Sequence, residues 1–157
     1  MSVIGDRLES MGIVLPQLFA GPAGTDVRFD LVHVVGDLAY VSGHGPMDGS
    51  RPLVLGKIGR DLTLEQGRDA ARMTGLSILA SLQNELGELD RIRGWAKVLG
   101  FVNTAPGFNR TPAVIDGFTD LILDVWGDSG RHARSAVGMA ELPYDIPVEI
   151  EAVVVLG

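Results

Sequence analysis

Apolar and polar residues change their period several times along the 157-residue chain, and each change marks an element. Ile4, Leu8 and Met11 follow helical spacing behind Ser2, which can cap a short helix, and Gly12 stops it. Residues 13 to 25 lose that period and carry Pro16, Gly21, Pro22 and Gly24, so residues 1 to 26 read as a helix followed by an irregular arm. From Val27 to Val35 the pattern is strand-like. After Gly36-Asp37 the run Leu38-Ala39-Tyr40-Val41 reads as its antiparallel partner, a hairpin. Residues 51 to 60 suggest another short strand.

Two long helical patterns follow. Thr63-Leu64-Glu65-Gln66 fits a capping box, in which the threonine hydroxyl and the glutamine side chain satisfy backbone donors at the helix start. Behind it Gly67, Ala71, Gly75, Leu79, Leu82 and Leu86 share one face, small first and bulky later, so the first half can lie close on a sheet before Gly87 ends the helix. Ile92 to Val102 is apolar on both faces and reads as an internal strand. Thr111-Pro112 opens a second helix, with threonine as cap and proline in the first turn. Its stripe runs through Val114, Ile115, Phe118, Leu121, Ile122, Val125 and Trp126, and Gly127 closes it. Asp116, Thr119, Asp120 and Asp124 fall on the other faces, as a solvated surface would.

The chain ends in two strands, one through Arg134 to Gly138 and one from Val148 to Val155, joined by a turn at Leu142-Pro143-Tyr144-Asp145. The order of elements predicts an α+β fold, a sheet with two helices on one face, in a single domain over residues 1–157. No internal repeat interrupts it.

Composition narrows the chemistry. No cysteine is present, which removes disulfides, thiolate nucleophiles and cysteine-bound zinc, and agrees with a cytoplasmic protein. The formal net charge is −7 with no Lys/Arg run, so a nucleic-acid partner is not expected. Lys57 and Lys97 are the only lysines, which leaves few Schiff-base candidates. No apolar run is long enough to cross a bilayer. His33, His44 and His132 lack metal-ligand spacing, so no metal site is expected.

Candidate chemistry gathers at two places. Alternation along the strand through Arg134 sends Arg134, Ala136 and Gly138 to one face and Ser135, Val137 and Met139 to the other. A guanidinium beside two such small residues either receives a planar carboxylate through its donor fork or pairs with an acid of its own chain. The second place is Ser42-Gly43-His44-Gly45-Pro46-Met47-Asp48-Gly49, whose spacing is not a dinucleotide fingerprint. There Gly43 and Gly45 either offer backbone N–H groups to a ligand or simply turn the chain. His44 is the histidine best placed for chemistry.

The stretches Tyr40-Val41-Ser42-Gly43-His44-Gly45-Pro46, Gly56 to Thr63, His132-Ala133-Arg134-Ser135-Ala136-Val137-Gly138, and Leu142-Pro143 with Val148-Glu149-Ile150-Glu151 resemble the RidA/YjgF family of imine/enamine deaminases, also labelled L-PSP endoribonucleases. The resemblance runs from about Phe29 to Val155. It implies a chorismate-mutase-like fold, hydrolysis of imines or enamines of small 2-amino acids to 2-keto acid and ammonia, homotrimers with a ligand cleft at each subunit interface, a small carboxylate-bearing ligand and no cofactor. It further implies that Arg134 binds the ligand's carboxylate, that Glu149 places the hydrolytic water, and that Ser42 and Gly43 line the pocket with His44 beside them. Phe29 stands where archetypal members have tyrosine, Ala136 where many have cysteine, and Asp116 where asparagine is common, which points to a less characterised subgroup.

These roles set a geometric condition. If the last two strands formed a hairpin centred on Tyr144-Asp145, Glu149 would lie opposite Ala140, roughly 20 Å along the strand from Arg134. Either Glu149 is then supplied by a neighbouring subunit, or the connection is not a simple hairpin.

Overall fold

A computed structural model describes residues 2–157. Helix α1 (Val3–Ser10) is capped by Ser2, whose hydroxyl accepts from the Gly5 N–H at 2.9 Å. Strands β1 (Val32–Val35) and β2 (Leu38–His44) form the expected hairpin around Gly36, which takes a φ of 62° that a residue with a side chain would rarely adopt. A two-stranded ribbon, β3 (Met47–Asp48) and β4 (Arg51–Pro52), precedes α2 (Leu64–Leu86). Then come β5 (Ile92–Asn103), α3 (Thr111–Trp126), β6 (Ala133–Met139) and β7 (Val148–Leu156).

The five long strands lie in the order β1-β2-β7-β5-β6, and only β5 and β6 run parallel. A parallel pair needs a crossover, and α3 provides it. Helices α2 and α3 pack on each other and on one face of this mixed sheet. Ile78, Leu79, Leu82, Val114, Ile115, Phe118, Leu121 and Ile122 are fully buried there against Val98, Val102, Val148, Ile150 and Val154. The helices meet so closely at Gly117 that a Cβ would lie 2.1 Å from the Arg68 carbonyl oxygen. This is the α+β architecture expected, with α1 as a third helix.

Among the described residues the other face of the sheet carries no helix. Paired residues His33, Tyr40, Val153 and Lys97 share it in register, and Val35, Tyr40 and Val137 are exposed on the sheet. Among the described residues no helix is long and apolar enough to cross a membrane.

Four local expectations are corrected. The last two strands are not a hairpin: β5 lies between β6 and β7 and pairs with both. The first strand begins at Val32, because residues 27 to 31 remain part of the arm. Residues 51 to 60 give only the two-residue β4, followed by a loop in which Ile58 bridges to Leu62 and Thr104. Thr111 is the first residue of α3 rather than its cap; Arg110 holds the cap position and the Thr111 hydroxyl donates instead to the Ala136 carbonyl at 3.1 Å.

Candidate functional site

Glu149 lies on β7 opposite Phe101 of β5, on the face of the sheet without helices. Next to it the β2–β7 register shifts between Val41 and His44, and the irregularity brings Gly43 against the glutamate. A Cβ at Gly43 would stand 2.6 Å from Glu149 Oε2, so the carboxylate occupies space that only glycine leaves open. Burial, and secondarily repulsion from Glu151, push the Glu149 carboxyl above its ordinary range, with no hydrogen bond from the described residues to offset them. A half-buried acid without a partner is a group available for proton transfer.

A groove of about 470 Å³ opens over this carboxylate. The arm lines it through Phe19, Val27 and Phe29, and the ribbon through Met47 and Pro52. The turn before β7 lines it through Pro143, Tyr144 and Ile146, and in that turn Tyr144 and Asp145 both take left-handed backbone angles, φ 54° and 61°. Such angles cost side-chain-bearing residues about 1 kcal/mol or more and persist only where neighbours enforce them. Here the enforcing residue is Asn103, fully buried, whose amide donates to Asp145 Oδ1 at 3.1 Å and to the Ile146 carbonyl at 3.2 Å. Its own oxygen accepts from Lys57 Nζ at 2.7 Å, and the Gly56 N–H donates to the Asp145 carbonyl at 2.8 Å. Lys57 also donates to the Ala140 carbonyl.

Arg134 stands elsewhere. It points to the helix face of β6, where Nη1 donates to Asp116 Oδ1 at 2.9 Å and to Thr119 Oγ1 at 3.0 Å, and Nη2 donates to the Pro112 carbonyl at 3.3 Å. Its side chain is 19% exposed. Within one chain, therefore, the guanidinium pairs with an acid of its own protein, the second of the two alternatives open at the outset. His132 supports the arrangement. Its Nδ1 lies 2.7 Å from the Gly130 carbonyl, which makes that nitrogen the donor, so Nε2 accepts from the Thr119 hydroxyl at 3.0 Å. Burial lowers the His132 pKa, which keeps this neutral tautomer.

The expected site residues thus divide. Glu149, Gly43 and Phe29 meet in the groove, while Arg134, Asp116 and Ala136 meet on the helix side of β6. Arg134 pairs with Val98, which pairs with Ala152, three residues from Glu149 and on the other face of the sheet. His44 is corrected as a ligand-facing residue: it is 2% exposed, with Nδ1 at 2.6 Å from the Ser42 carbonyl and Nε2 at 2.8 Å from Ser81 Oγ. Burial lowers its pKa, so it is a neutral packing residue beneath Phe19. Ser42 donates to the Asp30 carbonyl at 2.7 Å and faces a separate hollow of about 220 Å³ on the bare sheet face. Sequence reasoning missed Tyr144, Asn103 and Lys57 as parts of the site. The Pro143-Tyr144-Asp145 turn was visible, but the left-handed angles were not. Among the described residues no group of three or more acids and histidines is placed to hold a metal.

Residues 5–148 match the family model described as YjgF/chorismate mutase-like, putative endoribonuclease, and the chain belongs to that family. Protein TCP17 of Trypanosoma cruzi is 38% identical over 98% of this chain and 94% of its own length. The crystal structure of Atu1372 from Agrobacterium tumefaciens superposes with a TM-score of 0.88 at 38% identity, covering 99% of this chain and 93% of that one. A Shewanella oneidensis structure named as a putative endoribonuclease gives a TM-score of 0.89 at 27% identity, over 98% and 99% of the two chains. Further solved structures named as RidA or endoribonuclease share the fold at lower identity.

Proposed function

We propose that the chain is a hydrolytic deaminase of reactive imines or enamines of 2-amino acids, working as a homotrimer in which Arg134 of a neighbouring copy completes the groove around Glu149. The observation that carries this reading is the unpartnered, half-buried Glu149 carboxylate lodged against the bare backbone of Gly43. Membership of the family supports it, and so does the position of Arg134 on β6, an edge strand that another copy can approach. Among the described residues no arginine, lysine or histidine lines the groove, so a charged anchor for the ligand's carboxylate would come from outside it.

The chemistry needs little beyond positioning. Arg134 would exchange its pairing with Asp116 for the substrate carboxylate, fixing C2 of the imine above Glu149. Glu149 takes a proton from water as the water oxygen bonds to C2 and the C=N electron pair moves to nitrogen, which then takes that proton from Glu149. The resulting carbinolamine gives its hydroxyl proton to Glu149, the C–N bond breaks as Glu149 returns that proton to nitrogen, and ammonia and the 2-keto acid leave. An acid with a raised pKa suits both taking and returning the proton.

A second reading, ligand binding without turnover, is favoured by the Arg134–Asp116 pair, which already neutralises the proposed anchor. RNA cleavage, suggested by the family's description, is opposed by a groove without cationic side chains on a chain of net charge −7. The deciding experiment generates an imine in situ with an amino-acid oxidase and follows keto-acid release. Acceleration lost in both Arg134→Ala and Glu149→Gln supports the deaminase. Carboxylate binding without acceleration supports the binding protein, and salt-sensitive RNA cleavage by pure protein would replace both.

A further inference from the structure

The walls of the groove carry information that its catalytic acid does not. Phe29 is 58% exposed and Tyr144 is 69% exposed, yet both line the same concavity. Large apolar side chains left this open at a groove are surfaces awaiting an occupant. The turn that presents Tyr144 is held in left-handed geometry by the half-buried Lys57–Asn103–Asp145 hydrogen bonds, so the aromatic ring is displayed by a conformation the chain must enforce. The arm lines the same groove through Phe19, Val27 and Phe29. Met47 and Ile146, both buried, complete an apolar lining in which Glu149 is the inner ionisable group and Asp26 lies on the exposed arm.

We propose that this aromatic-walled groove selects substrates by side chain, taking imines of 2-amino acids with a large apolar substituent, aromatic or branched aliphatic, in preference to small ones such as the imine of alanine. A cavity of about 470 Å³ is within the range that encloses a ligand of such size. A methyl substituent would leave Phe29, Tyr144 and Val27 in water, whereas a benzyl group covers them, and each buried apolar contact adds to the discrimination. The inference rests on the deaminase reading for its substrate, though the groove's preference can be read without turnover.

Two arms keep the ideas separable. In the first, D-amino-acid oxidase generates the imines of alanine and phenylalanine in the presence of the full chain, and kcat/KM is compared between the two. The expected ratio is at least about tenfold in favour of the phenylalanine imine, falling toward unity in Phe29→Ala and in Tyr144→Ala. Because each ratio is taken on one preparation, partial loss of folded protein cancels. In the second arm phenylpyruvate and pyruvate are titrated calorimetrically into the same proteins, with tighter phenylpyruvate binding expected in wild type and lost in both variants. Turnover with a ratio near one, insensitive to both variants, would overturn the substrate inference and leave the deaminase standing. No turnover but selective phenylpyruvate binding that needs Phe29 and Tyr144 would retain the groove's selectivity and sink the deaminase. Neither turnover nor selective binding would overturn both.

Discussion

Glu149 and Arg134 illustrate how differently two charged residues can be kept. Arg134 is held where it stands by three acceptors, which fix its direction. Glu149 has the reverse: burial first, then Glu151, disfavour its carboxylate. As the proposed general base it would act only when ionised, so activity should fall on acidification through a midpoint above the ordinary glutamate value of 4.5. The Glu151→Gln variant should move that midpoint down without restoring 4.5, because desolvation remains; a pH profile of kcat/KM reads both. Removing the base with Glu149→Gln should lower the catalysed rate by about 10²-fold or more. Stability should respond in the opposite sense. With its folded pKa raised, Glu149 contributes stability present below the unfolded value and lost as pH rises through the folded one, so Glu149→Gln should raise the urea midpoint near neutral pH and leave it unchanged below about pH 4.

At the scale of elements, local chemistry and long-range pairing were unequally legible. The capping box at Thr63 forms as written, with Gln66 N to Thr63 Oγ1 at 3.2 Å and Thr63 N to Gln66 Oε1 at 2.8 Å, and the α3 stripe is buried throughout. Both follow from residues three or four positions apart. The apolar character of β5 on both faces likewise marked it as internal. What could not be read was that β5 inserts between β6 and β7, since sequence spacing does not say which strand pairs with which. The same gap hid the Arg134–Asp116 pair, whose members come from different elements, and the Asn103 hold on the Tyr144 turn. It also made His44 look available, because nothing near it in sequence announces Ser81 as the partner of Nε2. Two substitutions test the packing that resulted. Gly117→Ala forces a methyl onto the Arg68 carbonyl and should destabilise the fold by about 2 kcal/mol or more through separation of α2 from α3, measured by urea unfolding. Asn103→Ala leaves Lys57 and the Ile146 carbonyl without their buried partner and should cost about 2 kcal/mol.

The whole molecule presents two features that one chain does not resolve: a sheet with helices on one face only, and a groove whose proposed carboxylate anchor lies on the other side of that sheet. A ring of copies related by rotation addresses both, since each would cover a neighbour's bare sheet face and bring its edge strand β6 to a neighbour's Glu149. Interfaces of this head-to-tail kind make a prediction that a self-contained site cannot. Neither Arg134→Ala nor Glu149→Ala protein should have activity alone. When the two are unfolded together in equal amounts and refolded, each interface of a ring receives one chain with arginine intact and one with glutamate intact, in the productive order, in about a quarter of cases. Roughly a quarter of wild-type imine hydrolysis should therefore return. If both residues acted within one chain, every site in the mixture would still lack one of them, and activity would stay at the background of the separate variants. Mixing without refolding should restore little at first and more with time, at the rate at which subunits exchange, and that time course separates complementation between chains from contamination by wild type.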